Sequence, residues 1–277
     1  MHTINVTKMQ GCGNDFIILS YEEFQKTKLS MSELAKKICN RNFGVGADGI
    51  IIPKTDVQNA DIGWYFYNSD GSTAQMCGNG MRCFAKYVYD NKLVDKKVFS
   101  VETLAGIIKP ELLENGFVKV NMGAPIFEHA KVPFFGENEI TVLDKKFQIT
   151  PVSMGNPHCV IFTDKNPMEY AKKYGPFIEE HEFFPEKTNT EFVKIISRGE
   201  IDMCVYERGC GITLACGTGA CASVAVSVLN NLTEQKVKVN LPGGAVFVEW
   251  QGNSGNTAED IFLIGPAQYV FSANYRL

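Results

Sequence analysis

The internal organisation of the chain is clearest in one short stretch, Met76-Cys77-Gly78-Asn79-Gly80-Met81-Arg82-Cys83. A second stretch with the same frame, Ala215-Cys216-Gly217-Thr218-Gly219-Ala220-Cys221, follows 139 residues later, half the length of the 277-residue chain. In both stretches a cysteine is followed by Gly-x-Gly, which favours a tight turn that leads into a helix. The chain therefore carries the same local unit twice.

Two landmarks recur upstream of both cysteines, in the same order. They are Gly13-Asn14 and Gly155-Asn156, then Tyr67-Asn68 and Tyr206-Glu207. The first landmark begins 64 and 61 residues before the respective cysteine, and the second begins ten residues before it in both cases. Self-similarity at a fixed period indicates duplication. The sequence thus predicts two related halves.

Capping signals predict where further helices begin. Ser30 and Glu33 have the spacing of a capping box, which predicts a helix over Met31–Asn40. Asn166 is followed by a proline, and this pair predicts a helix over Pro167–Tyr174. The two helices begin at similar distances from the repeated cysteines, as duplication requires.

Short β-branched or aromatic runs, bounded by turn residues, predict the strands. These runs are Phe16–Leu19, Gly49–Ile52, Gly63–Tyr67, Val98–Thr103, Gly116–Asn121, Cys159–Phe162, Phe192–Ser197, Ile201–Tyr206, Val237–Asn240, Ala245–Trp250 and Asp260–Gly265. Strands and helices in this order predict an α+β fold of two pseudo-symmetric lobes. Each lobe is expected to be a curled, mainly antiparallel, β-barrel-like sheet around a central helix that begins at the repeated cysteine. We expect residues 1–119, joined by 266–277, to form the lobe that carries Cys77, and 120–265 the lobe that carries Cys216.

Composition and charge exclude several classes of protein. A formal net charge of −4 and a pI near 5.7 provide no basic surface, so nucleic acid is not an expected partner. Twenty-five uncharged residues lie between Arg208 and Glu234, but they include four glycines, at 209, 211, 217 and 219, in and around the start of a helix over Cys216–Leu229. That helix is too short to cross about 30 Å of hydrocarbon, so no membrane span is expected. The first residues lack the apolar core of a signal peptide, and a cytoplasmic protein is expected.

The nine cysteines do not form a metal-binding or disulfide pattern. Their number is odd, no Cys-x-x-Cys occurs, and only four histidines are available as additional ligands. We therefore expect reduced thiols and no metal. Apart from Cys77 and Cys216, the cysteines are interpreted as small structural side chains: Cys12, Cys39, Cys83, Cys159, Cys204, Cys210 and Cys221.

The repeated turns also predict chemistry. A helix N-terminus presents unpaired N–H groups that bind anions such as a carboxylate, and it favours a thiolate over a thiol. A pseudo-twofold relation would place Cys77 and Cys216 on either side of one bound carboxylate. One thiolate could then remove an α-proton from one face while the opposite thiol delivers a proton to the other. Inversion of an amino-acid α-carbon by this route needs no cofactor.

Several motifs together resemble those of the diaminopimelate epimerases over nearly the whole chain. They are Gly11-Cys12-Gly13-Asn14-Asp15-Phe16, Asn68-Ser69-Asp70-Gly71-Ser72, Met76-Cys77-Gly78-Asn79-Gly80, Ser153-Met154-Gly155-Asn156-Pro157-His158-Cys159-Val160, Tyr206-Glu207-Arg208-Gly209, Ala215–Cys221 and Leu241-Pro242-Gly243-Gly244. The resemblance implies an epimerase, independent of pyridoxal phosphate, that interconverts LL- and meso-diaminopimelate in bacterial lysine and peptidoglycan synthesis. It also implies two lobes that close over the substrate, and a homodimer.

The resemblance also implies roles for individual residues. Cys77 and Cys216 would be the acid/base pair, and His158 and Glu207 would tune their thiols. The substrate-binding residues would be Asn14, Asn68, Gly78, Asn79, Asn156, Asn189, Glu207, Arg208, Gly217 and Thr218. Two positions depart from the family pattern. Gly49 stands where some members have a substrate-contacting Gln, and Phe271 where some have a Tyr at the dimer contact.

Each assignment has alternatives at the level of sequence. The four asparagines lie near Gly, Pro or Ser, where Asn commonly serves turns, and Glu207-Arg208 could be an ordinary surface pair. A proline or hydroxyproline racemase of the same fold would keep both thiols without needing a distal recognition set. A cysteine hydrolase would need only one thiol and a base, which leaves the repeat unexplained. A non-catalytic amino-acid-binding protein would tolerate the loss of both thiols.

Overall fold

The fold is described from a computed structural model, which describes residues 3–277. The chain forms two compact units. The first comprises the residues up to Val120 together with Gly265–Leu277, and the second comprises Asn121–Ile264. Because the first unit is built from two separate segments, its sheet draws on both ends of the chain.

The chain forms five α-helices and nineteen strands within residues 3–277. The elements are β1 (Thr3–Gly11), β2 (Asn14–Ile18), α1 (Tyr21–Thr27), α2 (Met31–Ile38), β3 (Gly49–Lys54), β4 (Ile62–Asn68), α3 (Gly78–Asp90), β5 (Val101–Thr103), β6 (Gly106–Ile108), β7 (Glu111–Leu112), β8 (Val118–Asn121), β9 (Glu139–Val142), β10 (Lys145–Gln148), β11 (Thr150–Ser153), β12 (Pro157–Phe162), α4 (Pro167–Glu179), β13 (Asn189–Ser197), β14 (Glu200–Glu207), β15 (Gly211–Ile212), α5 (Gly217–Leu229), β16 (Lys236–Leu241), β17 (Gly244–Trp250), β18 (Ile261–Gly265) and β19 (Gln268–Arg276). A short 3₁₀ turn spans His129–Lys131.

The two units share one pattern of strand pairing. In the first unit the sheet order is β19-β1-β2-β3-β4-β5-β6, and in the second it runs β11-β12-β13-β14-β16-β17-β18. The steps from β1 to β6 are antiparallel, parallel, antiparallel, parallel and antiparallel, and the steps from β11 to β17 repeat this series. Each parallel step is a crossover that contains helices, as parallel neighbours require. The predicted duplication and the α+β class are confirmed, whereas the described strands of each sheet form an open order with two ends and no closed barrel.

The helices that begin after the repeated cysteines occupy the second crossover of each unit. Helix α5 is buried on almost every side, from Gly219 to Val228, as its uncharged sequence predicts. Helix α3 differs because its buried face carries Arg82, whose side chain is 0% exposed. A buried guanidinium is costly unless hydrogen bonds satisfy it. The buried face of α3 therefore needs hydrogen-bond acceptors for a guanidinium, which α5 itself does not carry.

Several boundaries differ from those expected. The capping box of Ser30 and Glu33 is present, and helix α2 ends at Ile38. Helix α4 extends past the predicted end at Tyr174 to Glu179 although it contains Pro176. Burial of Tyr174 and Ile178 in the apolar core of the second unit offsets the hydrogen bond that the proline removes. Packing thus overrides a local stop signal.

Eight strands are missing from the prediction, namely β1, β6, β7, β9, β10, β11, β15 and β19. Strand β19 pairs with β1 from Thr3↔Arg276 to Gln10↔Gln268, and most of its side chains are exposed. An exposed edge strand shows little of the apolar alternation from which strands are predicted. Its position is set by pairing with a segment at the opposite end of the chain.

Candidate active site

Both repeated cysteines are the N-caps of their helices. Cys77 has extended backbone angles, and its Sγ accepts a hydrogen bond from the Gly80 N–H at 3.4 Å. Cys216 has similar angles, and its Sγ accepts from the Gly219 N–H at 3.3 Å. The sulfur in each unit takes the place that a Ser or Asp oxygen usually fills at a helix start. Each sulfur therefore lies in the positive field of a helix N-terminus.

In the first unit, the Cys77 sulfur contacts Asn14, which is itself hydrogen-bonded to Asn79. The thiol donates to Asn14 Oδ1 at 3.6 Å, and Asn79 Nδ2 donates to the same oxygen at 3.1 Å. Asn14 begins β2, and Asn79 lies in the first turn of α3. The β1–β2 turn and the helix start thus converge on one atom. Three residues predicted from sequence are brought together here.

Charged residues fix the orientation of these two amides. Arg82 Nη1 donates to Asn79 Oδ1 at 2.9 Å, and Asn14 Nδ2 donates to Asp48 Oδ2 at 2.6 Å. The hydrogen bonds therefore run in one direction, from the guanidinium through both amides to the carboxylate. A cation at one end and an anion at the other favour this single arrangement. Sequence reasoning missed Arg82 and Asp48, although the charge of Arg82 within a buried helical turn was a signal.

Asp15 provides a second carboxylate, which shares Arg41 with Asp48. Asp15 is paired with Lys8 at 2.8 Å and with Arg41 at 2.9 Å, and Arg41 also reaches Asp48 Oδ1 at 2.7 Å. Burial acts to raise the pKa of Asp15, but hydrogen bonds from Arg41 and Lys8 outweigh it and lower that pKa. Asp48 Oδ2 also accepts the Asp15 N–H at 3.1 Å. The start of β2 is therefore held on both sides of Asn14.

Asn68 and Gly49 lie at the end of β4 and the start of β3, where they face each other in the ladder. The Asn68 side chain donates to Ser72 Oγ at 3.0 Å and so supports the loop that follows β4. A Cβ atom added to Gly49 would lie 2.6 Å from the Tyr67 carbonyl oxygen. Since backbone cannot easily move aside, this chain has no room for a larger residue at Gly49.

In the second unit, the equivalent turn is built from Thr218, Asn156 and His158. The Thr218 hydroxyl lies 3.5 Å from Cys216 Sγ, and Asn156 Nδ2 donates to that hydroxyl at 3.5 Å. His158 Nε2 lies 3.0 Å from Asn156 Oδ1. Asn156 thus takes the place that Asn14 has in the first unit, and His158 orients it. These four predicted residues form one chain of contacts.

Two carboxylates act on the Cys216 thiol. Burial, followed by the negative charges of Glu207 and Glu191, raises the pKa of Cys216 well above its usual value. Burial also raises the pKa of Glu207, whose Oε1 accepts a hydrogen bond from the Thr213 hydroxyl. Glu191 was not predicted from sequence because it lies inside an apolar strand with no motif around it.

Asn189 and Arg208 are joined to each other through the backbone. Asn189 Nδ2 donates to the Pro157 carbonyl at 2.8 Å, and its Oδ1 accepts the Arg208 N–H at 3.0 Å. The Arg208 guanidinium is exposed, and its Nη1 donates to the Glu186 carbonyl at 3.1 Å. Asn189 thereby links β13 to β12 and to the residue that follows β14, while the Arg208 side chain is exposed.

The remaining cysteines are buried apart from Cys210, which is exposed. Burial raises the pKa of the Cys39 and Cys83 thiols to about 12 and that of Cys204 to about 11. Within Thr3–Leu277, no group of His, Cys, Asp and Glu side chains has an arrangement that could hold a metal ion. In the same residues, no helix is both long and apolar enough to span a membrane.

The chain is similar in sequence to known proteins. The sequence model of one family, described as diaminopimelate epimerase, matches residues 6–128 and 150–270. A protein of Carboxydothermus hydrogenoformans named diaminopimelate epimerase is 46% identical to the chain over 278 residues, which cover 98% of both proteins. The chain belongs to the diaminopimelate epimerase family. At this identity and coverage the family likeness includes both units.

Solved structures of more distant proteins share the fold. A phenazine biosynthesis protein of the PhzF family from Bacillus anthracis has a TM-score of 0.75 at 19% identity, and the match covers all of both chains. A hydroxyproline epimerase from Agrobacterium vitis has a TM-score of 0.71 at 13% identity, with 99% of this chain and 93% of that one covered. The fold of the diaminopimelate epimerase family is therefore shared with proteins of other names.

Proposed function

We propose that the protein interconverts LL- and meso-2,6-diaminopimelate, with Cys77 and Cys216 as the acid/base pair. One cysteine, as the thiolate, removes the proton from the α-carbon, and the C–H electron pair becomes part of an enolate-like carboxylate. The other cysteine, as the thiol, then delivers its proton to the opposite face of that carbon. The two sulfurs exchange protonation states in each turnover, and no external oxidant or reductant is needed.

The reacting carboxylate is bound at the helix starts in this proposal. The N–H groups around Gly78-Asn79 and Gly217-Thr218 would donate to it and stabilise the charge that develops as the proton leaves. Asn14 contacts the Cys77 sulfur, and Asn156, in the equivalent place of the second unit, contacts the Thr218 hydroxyl beside the Cys216 sulfur. They would orient the α-amino and carboxylate groups, together with Asn68 and Asn189.

The observation that carries the proposal is the matched capping of two helices by cysteine sulfur. A single such cap would fit a nucleophilic enzyme or a structural thiol. Two caps with the same N–H contact, one in each duplicated unit, provide the two acid/base groups that inversion requires. The membership of the chain in the diaminopimelate epimerase family supports the choice of substrate.

Epimerisation in deuterated buffer tests the reaction. LL-Diaminopimelate incubated with the protein should yield meso product that carries deuterium at the inverted carbon, because the proton that returns comes from a thiol equilibrated with solvent. Stereochemistry by chiral chromatography and label by mass spectrometry would be read from the same sample. Unchanged LL substrate without label would reject the proposal. Proline or alanine turnover at a comparable rate would favour the racemase alternative.

Substrate choice is expected to depend on Arg208, with Glu207 beside it. Diaminopimelate carries a second amino-acid group at its other end, and this group needs a binding partner away from the thiols. The planar guanidinium of Arg208 can donate two parallel hydrogen bonds to the carboxylate of that group. Arg208→Lys should lower kcat/KM for diaminopimelate, because one charged hydrogen bond to the substrate is lost. The loss of transition-state stabilisation calculated from kcat/KM should be about 2 kcal/mol. The matched control is Arg198→Lys, an exposed arginine on the β13–β14 turn, which should leave kcat/KM unchanged. Equal behaviour of the two variants would contradict this role.

A homodimer is proposed through strand β19. This strand pairs only with β1 among the described strands, and its exposed side chains include Tyr269, Val270 and Phe271, the last being 42% exposed. An edge strand with exposed aromatic residues is suited to pairing with a second chain. Phe271→Asp should weaken dimerisation by about 2 kcal/mol, measured by analytical ultracentrifugation. The control is Leu104→Asp, which changes an exposed residue of the β5–β6 turn. Identical sedimentation of both variants would reject this interface.

A cytoplasmic location is proposed because the mechanism requires two reduced thiols. Among residues 3–277, no cysteine is part of a disulfide bond. Thiols persist in this form where the glutathione and thioredoxin systems maintain a reducing environment.

A further inference from the structure

The residues beneath the two cysteine-capped helices differ in chemistry, although the helices are equivalent. A Cβ atom added to Gly80 of α3 would lie 3.5 Å from Phe16 Cζ and 3.5 Å from Ile51 Cδ1. A Cβ atom added to Gly219 of α5 would lie 2.8 Å from Glu191 Oε1. The first turn of α3 therefore rests on apolar groups, whereas that of α5 rests on a carboxylate.

Strand register shows that these positions correspond. Phe16 is paired with Gly49 across the parallel β2–β3 step, and Ile51 lies two residues further along β3. His158 is paired with Asn189 across the parallel β12–β13 step, and Glu191 lies two residues further along β13. The Phe16 and Ile51 pair of the first unit is thus replaced by His158 and Glu191 in the second.

The polar pair is completely buried. His158 Nδ1 lies 2.7 Å from Glu191 Oε1, and both side chains are 0% exposed. Glu191 Oε2 is also buried and has no hydrogen-bond partner among residues 3–277. A buried carboxylate with one unsatisfied oxygen is unfavourable relative to an apolar side chain of similar size. The first unit has the apolar pair Phe16 and Ile51 at the equivalent positions. The fold itself therefore does not require a buried polar pair there.

The Glu191 carboxylate lies beside the residue whose N–H contacts the Cys216 sulfur. The Gly219 N–H donates to Cys216 Sγ at 3.3 Å, and the Glu191 carboxylate lies against this same residue. A negative charge at a helix N-terminus is stabilised by the helix dipole. Because the Glu191 carboxylate already lies in the positive field of the α5 N-terminus, that field no longer favours a second negative charge on the Cys216 sulfur. The other ionisable groups that face this thiol are Glu207 of β14 and, behind Glu191, His158 of β12.

We propose that Glu191, paired with His158, is a positioning residue that keeps Cys216 protonated between turnovers. This inference rests on the proposed function and assigns the starting roles within it. Cys216 begins as the proton donor, and Cys77 begins as the base. The duplicated halves are therefore alike in geometry and unlike in charge.

Alkylation of Cys216 as a function of pH tests this role independently of catalysis. The protein is treated with iodoacetamide at each pH, and modification of Cys216 is read from its peptide by mass spectrometry. Glu191→Gln should shift the midpoint of the Cys216 profile to lower pH by about one unit, so that alkylation near pH 7 becomes about tenfold faster. Glu200→Gln removes a half-buried carboxylate that contacts Lys238 at the start of β14, and it should leave the profile unchanged.

A double variant keeps the test informative if the single variant fails to fold. His158→Phe with Glu191→Ile transplants the pair that the first unit buries beneath α3, and it should shift the Cys216 midpoint in the same direction. An unchanged or higher midpoint in the folded variants would overturn the role of Glu191. Epimerase activity of the unmodified protein is measured in parallel. Absent activity with a shifted midpoint would reject the proposed function and leave the charge effect established.

Discussion

Cys77→Ala and Cys216→Ala are each expected to lower kcat for epimerisation about a thousandfold or more, a barrier increase of about 4 kcal/mol. The reason is that each sulfur serves one face of the α-carbon, so the remaining thiol cannot replace the missing one. Both variants should stay folded, because alanine fits the extended backbone of each N-cap and the loss of a cap costs only about 1 kcal/mol. Measurement of kcat in both directions, with circular dichroism for folding, checks this expectation.

Cysteines outside the proposed site provide the comparison. Cys210→Ala changes an exposed thiol, and Cys221→Ala changes a buried thiol of α5 itself. Both should retain most of the wild-type kcat. If either Cys77→Ala or Cys216→Ala kept more than about a tenth of the activity, a loss of less than 1.4 kcal/mol, the two-thiol mechanism would be wrong.

Arg82→Leu is expected to lower the free energy of unfolding by about 2–5 kcal/mol. The guanidinium is fully buried, and it donates to Asn79 Oδ1 at 2.9 Å and to the Pro266 carbonyl at 3.1 Å. Removing it leaves the buried Asn79 Oδ1 and the partly buried Pro266 carbonyl without these donors, at up to about 1–3 kcal/mol each. Epimerase kcat should fall as well, because Asn79 loses the contact that fixes its amide against Asn14. Urea unfolding followed by fluorescence gives the first quantity, and initial rates give the second.

Lys86→Leu is the matched change on the same helix, one turn later. Lys86 pairs with Asp90 at 3.0 Å on the surface, and its loss should cost less than about 0.5 kcal/mol. A variant at Arg82 as stable as this control would show that the buried guanidinium contributes nothing to the first unit.

The sequence predicts the parts of the site that depend on local chain geometry. A cysteine before Gly-x-Gly at a helix start fixes the sulfur against the first-turn N–H, whatever the rest of the fold does. The same is true of the Ser30 capping box, which was predicted and is present. Duplication could be predicted because the two copies preserve their spacing. For these features, neighbours in sequence are also neighbours in space.

The groups that sequence reasoning missed act across the fold. Asp48 reaches Asn14 from 34 positions away, and Glu191 reaches His158 from 33 positions away. No local pattern marks either residue, and only strand register brings them to the site. Glu207 and Arg208 show the opposite difficulty, because they are adjacent in sequence, yet only Arg208 is exposed. A pair of charges at a strand end can serve two different environments.

The pairing of β1 with β19 has a consequence for synthesis on the ribosome. Thr3 is paired with Arg276, so β1 cannot pair with β19 until nearly the whole chain has been synthesised. The second unit, Asn121–Ile264, is continuous and has all its strands available earlier. Since closure of a long loop delays contact formation, the half that is translated first is the half that is completed last. Until then, β1 has an open hydrogen-bonding edge, and folding of this enzyme is exposed to misassembly at that edge.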